Sequence, residues 1–189
     1  RSGNHAPQCT HARARAHEPR WVERVQQASG IFMTGGFQER LMDTLHPDGH
    51  ESPLLQAIRR LYVRGGVVAG TSAGAAVMSE TAIRRLGDPF EALLRPLSTG
   101  EMGLGFGLAP SAVVIDQHFL RHGRIARLVR VLLQSGRALG LGVDEDSGAW
   151  IRDGVAQAIG SRGLLMVDAS EAVVDSLAPV QVSQLRLSY

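Results

Sequence analysis

The residue with the strongest chemical setting is Ser72, in the stretch Gly70-Thr71-Ser72-Ala73-Gly74-Ala75-Ala76. It follows the apolar run Val67-Val68-Ala69 and precedes Val77-Met78, which predicts a strand, a tight turn and a helix with small residues on both sides of one serine. A nucleophilic serine must project from a sharp bend, where neighbouring side chains would crowd both the bend and the substrate. Glycines two residues before and two after it remove that crowding. The N–H of Ala73, opening the helix, would stabilise negative charge developing on a carbonyl oxygen. A glycine-rich β-α turn can also serve only to pack a helix on a sheet or to cradle a phosphate, so the pentapeptide needs partners before it implies catalysis.

Partners of the right type stand at the ends of other apolar runs. His118, in Asp116-Gln117-His118-Phe119, follows Ala112-Val113-Val114-Ile115, which is where a base must be to meet a serine from a neighbouring strand. Such a base needs an acid to hold its imidazole in the right tautomer. Asp144, Glu145 and Asp146 end the run Leu139-Gly140-Leu141-Gly142-Val143, and spacing does not say which of the three serves. Gly35-Gly36, after Ile31-Phe32-Met33-Thr34, permits close backbone approach and suits an oxyanion donor, a ligand contact or an ordinary turn. Arg121, Arg124, Arg127 and Arg130 recur at three-residue steps, most simply as a solvated helix face. Only the first turns of that helix reach the strand ends, so Arg121 and Arg124 are the expected substrate contacts, Arg127 is less well placed and Arg130 is surface.

The elements that must position these groups alternate. Trp21, Val22, Val25 and Ala28 mark a helix ended by Gly30; a second helix spans 39–45 and breaks at His46-Pro47-Asp48-Gly49. Leu54, Leu55, Ile58, Leu61 and Tyr62 form an amphipathic stripe that ends at Gly65-Gly66. Residues 87–107 read as a long irregular surface loop bordering the site. Ile125, Leu128, Val129, Leu132 and Leu133 face the core of the next helix. Short strands at 149–152, 155–159, 164–167 and 182–187 make an antiparallel extension. The order predicts an α/β fold with parallel strands and functional groups at their carboxyl ends.

With 189 residues the chain is expected to form a single α/β domain over 21–189, and its formal charge of +2 does not argue for nucleic acid. Cys9 is its single cysteine, so no intrachain disulfide forms, and no apolar run reaches the ~18 residues of a membrane span. A cytoplasmic protein is the expectation. Residues 1–20 read as an uninformative tail; His5, His11 and His17 near Cys9 lack the apolar framework that would fix a metal site, and a frayed terminus is the simpler reading.

Taken together and in this order, the elbow, Asp116-Gln117-His118-Phe119 and Asp144-Glu145-Asp146 resemble the cyanophycinases. Thr34-Gly35-Gly36-Phe37-Gln38 with Arg40-Leu41, Met78-Ser79-Glu80 and Gly103-Leu104-Gly105-Phe106-Gly107-Leu108 extend the resemblance, which can be followed from residue 21 to about 188. These are serine exopeptidases related to aspartyl dipeptidases, with a three-layer flavodoxin-like parallel sheet shared with class I glutamine amidotransferases. The resemblance implies Ser72 as nucleophile, His118 as base and Glu145 as its orienting acid. It implies oxyanion donors at Ala73 and at Gly35 or Gly36, substrate contacts at Gln38, Asp116, Gln117, Arg124 and Arg127, and no metal or cofactor. The implied substrate is cyanophycin, a poly-aspartate bearing arginine on each β-carboxyl, released as β-Asp-Arg dipeptides; a homodimer is compatible with it. Two residues depart from the family pattern: Phe37 stands where an acid is usual and His122 where an arginine is expected. Residues 1–20 do not resemble the strand-and-helix sequence that opens family members, so that part of the family fold is expected to be missing. An α-aspartyl dipeptidase of the same fold is the near alternative, and a non-catalytic or truncated binding homologue is the alternative of another class. The order Ser72, His118, Glu145 argues against an α/β-hydrolase esterase, whose acid precedes its histidine.

Overall fold

A computed structural model describes residues 6–85 and 87–189. His5 lies outside these residues, as does the side chain of Cys9. The first helices, α1 (Ala6–Ala16) and α2 (Pro19–Gln27), lead into strand β1 (Gly30–Met33). Helices α3 (Gln38–Leu45) and α4 (Pro53–Val63) then return the chain to β2 (Val67–Gly70), which pairs parallel with β1 from Gly30↔Val67 to Met33↔Gly70. Ser52 starts α4 by accepting a hydrogen bond from the Leu55 N–H at 3.2 Å, with Pro53 in the first turn where no amide hydrogen is needed.

After the elbow helix α5 (Ala73–Ala76) come β3 (Thr81–Ile83), α6 (Glu91–Leu94) and β4 (Met102–Leu104), the two strands pairing antiparallel. Strand β5 (Val113–Gln117), helix α7 (Ile125–Ser135) and strand β6 (Leu139–Val143) form the second parallel unit, in register from Val113↔Leu139 to Gln117↔Val143. On its far side β6 pairs antiparallel with β9 (Leu164–Asp168), and β9 with β12 (Arg186–Ser188). Hairpins β7 (Ser147–Arg152) with β8 (Val155–Gly160), and β10 (Val173–Leu177) with β11 (Val180–Ser183), complete an antiparallel C-terminal region.

Among the described residues the two parallel pairs are separate ladders, and the four-stranded sheet β12-β9-β6-β5 is mixed. Two hydrophobic clusters match this division. One gathers Met33, Met42, Leu45, Leu55, Ile58, Val77 and Phe106 around β1–β2; the other gathers Val114, Phe119, Leu128, Leu132 and Val167 around β5–β6. Strand β3 contributes to both, Ala82 to the first and Ile83 to the second, because successive side chains of a strand point to opposite faces.

Several expectations change. The tail is helical from Ala6 to Ala16: Ala16 is buried in the first cluster and Arg13 Nε donates to the Asp43 carbonyl at 2.6 Å. Residues 87–107 are no open loop, since they contain α6 and β4 and bury Ala92, Leu97 and Phe106. Arg130 is not surface: it is fully buried and its guanidinium donates to the carbonyls of Ala92 and Leu93, satisfying acceptors that the short helix α6 leaves open. The stretch 182–187 is broken, β11 ending at Ser183 and Gln184 taking a φ of 58° before β12 begins.

Candidate active site

The elbow is built as its glycines require. A side chain on Gly70 would bring its Cβ to 2.4 Å from the Gly74 carbonyl oxygen, and one on Gly74 would reach 2.3 Å from that of Met33. Both are backbone contacts that cannot yield, so only glycine lets strand, turn and helix pack this closely. The bend throws Ser72 into a φ of 53° and ψ of −119°, unusual for a residue with a side chain and worth ~1–3 kcal/mol of strain. His118, at the end of β5, has a φ of 47°. Two strained residues therefore face each other.

Their side chains meet. His118 Nε2 lies 3.0 Å from Ser72 Oγ, and on the other side of the ring Nδ1 lies 3.2 Å from Glu145 Oε1. A neutral imidazole with its proton on Nδ1, donated to Glu145, presents a lone pair on Nε2 to the serine hydroxyl. Of the three consecutive carboxylates, Glu145 is thus the one on the histidine; Asp144 Oδ1 instead accepts the N–H groups of Glu145 and Arg121, at 3.1 and 3.4 Å. All three side chains are half-buried, within reach of both protein dipoles and an incoming substrate.

Around Ser72 the other expected groups divide into two sets. Gly35 lies against it, a Cβ there falling 3.5 Å from Oγ, whereas nothing comes within 4 Å of such a position on Gly36. Ala73 is wholly buried at the first helical position, where an N–H has no acceptor within the helix. Gln117 Oε1 accepts weakly from Ser72 Oγ at 3.4 Å, and its Nε2 donates to Gln38 Oε1 at 3.2 Å. Gln38 is anchored in turn through Nε2 to the Ile83 carbonyl at 3.0 Å. This chain of amides spans the two strand pairs.

Asp116 and Arg127 form the second set, and they face each other rather than the opening. Both are buried, and Arg127 clasps the carboxylate with two hydrogen bonds, Nε to Oδ2 at 2.7 Å and Nη2 to Oδ1 at 2.5 Å. Arg124 Nη1 donates to the Gln117 carbonyl at 2.5 Å and stands 3.9 Å from Asp116. Burial holds the Arg124 pKa below its ordinary value, helped by the neighbouring Arg127 charge and opposed by Asp116. Arg121 precedes α7 and is exposed, its Nε 3.7 Å from Glu145 Oε2.

Two positions gain a role that spacing alone did not assign. Ser79, fully buried, accepts the Ile115 N–H on its Oγ at 2.7 Å and ties β5 to the segment after the elbow. His122 stacks edge-on against His118 with ring centroids 5.6 Å apart. Its departure from an expected arginine was the one signal in the sequence. Among the described residues no helix is long and apolar enough to cross a membrane.

Comparison with known proteins places the chain in a family. The model of peptidase family S51 matches residues 8–159. The cyanophycinase of Synechococcus elongatus is 36% identical over 183 residues, covering 93% of this chain and 54% of the relative. That of Trichormus variabilis is 38% identical over 172 residues, covering 86% and 55%. The chain therefore spans about half the length of the curated relatives it matches. Among solved structures, a peptidase from an acI-B1 Actinobacterium superposes with a TM-score of 0.64 at 27% identity, covering 90% of this chain and 63% of that one. A putative peptidase E from Listeria monocytogenes shares the fold with a TM-score of 0.53, at 14% identity and with 76% and 65% covered. On the extent of the family match and the identity of these relatives, the chain belongs to peptidase family S51.

Proposed function

We propose that this chain is a serine-type peptidase that hydrolyses cyanophycin to β-Asp-Arg dipeptides through Ser72, His118 and Glu145, with the two parallel strand pairs, arranged as parts of a flavodoxin-like fold, as its scaffold. The observation that carries the reading is the continuous relay from Glu145 through both ring nitrogens of His118 to Ser72 Oγ. In the first step His118 Nε2 takes the serine proton as Oγ attacks the aspartyl carbonyl carbon, and Glu145 balances the imidazolium charge. The N–H groups of Ala73 and Gly35 hold the tetrahedral oxyanion, Gly35 being favoured over Gly36 by its contact with Ser72. His118 then returns the proton to the leaving amine, and water, activated by the same base, releases the acyl group.

The substrate part of the reading rests on the cyanophycinase relatives and on the polar lining supplied by Gln38, Gln117 and Arg124. Arg124, its guanidinium close to the strand end, suits a substrate carboxylate. Asp116 and Arg127 act one step back, by setting the end of β5 and the pose of Arg124. The test is incubation with cyanophycin and, separately, α-linked Asp-X dipeptides, with products read by mass spectrometry. Release of β-Asp-Arg, lost by about 10⁴–10⁶-fold in turnover in Ser72→Ala with an unchanged unfolding midpoint, is the expected result. Cleavage of α-linked peptides alone would move the chain to the dipeptidase branch, and undiminished turnover in Ser72→Ala would overturn the mechanism.

A further inference from the structure

His118 and Glu145 have a third neighbour that the proposed reaction does not use. Among the described residues, His118, His122 and Glu145 are the one group of His, Cys, Asp and Glu side chains whose ligand atoms approach metal-site spacing, all within 4.8 Å of one another. We propose that these three side chains bind Zn²⁺ and that the ion switches the serine off.

The distances fit. Zn–N bonds of about 2.0–2.1 Å and Zn–O bonds of about 2.0–2.2 Å place two ligands of one ion about 3.0–3.4 Å apart at coordination angles between square and tetrahedral. His118 Nδ1 and Glu145 Oε1 stand 3.2 Å apart. His122 is exposed and has a ring nitrogen within 4.8 Å of the other ligand atoms, so the site requires that ring to turn closer to them. Two imidazoles and one carboxylate with water in the fourth position is a donor set suited to Zn²⁺, whereas Mg²⁺ and Ca²⁺ favour all-oxygen shells. One feature opposes a cation: the Arg121 guanidinium, 3.7 Å from Glu145 Oε2. It is exposed and can swing into water, leaving both carboxylate oxygens to the metal.

The consequence follows from which nitrogen is taken, and it rests on the peptidase reading above. As base, His118 carries its proton on Nδ1 and its lone pair on Nε2. Zinc on Nδ1 uses the lone pair there, so the ring's single proton moves to Nε2. That nitrogen now donates to Ser72 Oγ and cannot accept its proton. The Nδ1–H bond is exchanged for an Nε2–H bond through solvent, zinc–ligand bonds replace zinc–water bonds, and nothing is oxidised; removal of the ion restores the tautomer. The family's expected arginine at position 122 would offer no ligand and would repel the cation, so the device belongs to this sequence.

The test uses chelator-treated protein titrated with Zn²⁺ by calorimetry, beside labelling of Ser72 with a serine-directed phosphonate at each zinc concentration. Expected is a zinc-binding event whose affinity falls about tenfold or more in His122→Gln and in His122→Arg. Labelling in the unsubstituted protein should be suppressed with the same midpoint, and that midpoint should move in parallel in both variants, while Mg²⁺ suppresses nothing. Because His11 and His17 offer ligands elsewhere, dependence on His122 and not total stoichiometry is the readout. Zinc binding that is absent or indifferent to His122, or that leaves labelling untouched, overturns the proposal. A protein that never labels, even free of zinc, overturns the peptidase reading and with it the switch, while calorimetry still decides the metal site.

Discussion

The two parallel strand pairs do similar work in different surroundings. β5–β6 carries His118 and Glu145 at its end and is enclosed: Val114, Ile115 and Leu141 are buried, α7 covers one side and the antiparallel strands prolong the sheet. β1–β2 leads into Gly35 and Ser72, yet only the face holding Ile31 and Met33 packs against the helices; on the other, Phe32 is 64% exposed and Val67 56%. The relay therefore crosses a seam. His118 and Glu145 are fixed relative to each other by one continuous ladder, Gln117↔Val143 being its last rung. Among the described residues, Ser72 is tied to them through its own contact with Gln117, the Gln38–Gln117 amides, the Ser79 hydrogen bond, the reach of Arg137 to Thr81 and Glu80, and β3, whose alternate faces enter both clusters. Positioning within a pair comes from backbone, and positioning between pairs comes from side chains.

Substitution on either side of that division should separate the two. Arg127→Met acts inside the enclosed pair and leaves the buried Asp116 without its bidentate partner. Removing one member of a buried ion pair costs about 3–5 kcal/mol, and the low end, about 3 kcal/mol, is expected because Arg124 remains 3.9 Å away. Denaturant unfolding would measure it. A loss below about 1 kcal/mol would mean that the β5 end is held by packing alone.

Ser79→Ala acts on the seam and leaves the Ile115 N–H without an acceptor in a buried place. The stability cost is about 1–3 kcal/mol, smaller than for Arg127→Met. Its signature should lie in turnover: a displacement of the order of 1 Å between Ser72 and His118 costs about 100-fold. The variant would be compared with the unsubstituted chain by kcat and by unfolding midpoint in the same preparation. Turnover that falls no further than in an equally destabilised Arg127 variant would remove the distinction between seam and ladder.

What the sequence made legible follows the same division. Strand runs were readable because parallel strands are nearly continuous in apolar residues: Leu139 to Val143 matches β6 at both ends, and the runs at 31–34, 67–69 and 112–115 fall within a residue or two of β1, β2 and β5. The tight turn at the end of β2 was readable because so close a packing of strand, turn and helix needs glycine at fixed positions. Interactions that depend on a distant partner left no local trace. Arg130 sits on a helix face that reads as solvated, and only the open carbonyls of α6 bring it inside. Asp116 and Arg127 are implied as substrate contacts by the family resemblance, against the helix geometry in the case of Arg127, and only the geometry of β5 against α7 turns them toward each other. Nothing periodic announces α1, whose anchoring comes from Ala16 and from Arg13 reaching Asp43.

The smallest expected effect serves as the control for the comparison, because it falls on neither pair. In the segment between α6 and β4, Glu101 accepts from Arg95 Nη1 and Nη2 at 2.8 and 2.7 Å and from the Ser98 N–H and hydroxyl at 2.8 and 2.9 Å. The Arg95 hydrogen bonds hold its pKa down to about 2 from an ordinary 4.5, with Ser98 adding to the effect and burial opposing it. A folded-state pKa below the unfolded one means stability that is fully present above about 4.5 and lost as the pH falls through about 2. Glu101→Gln should cost about 1 kcal/mol or less at neutral pH, because its Arg95 partner is 45% exposed and screened by solvent. The gap between variant and parent, followed by chemical denaturation, should close across that window, while hydrolysis at neutral pH is unchanged. A gap that persisted at the acid end would assign the stabilisation to packing of the loop rather than to the charge. A fall in turnover at neutral pH would show that this segment, and with it the pairing of β3 and β4, reaches the seam after all.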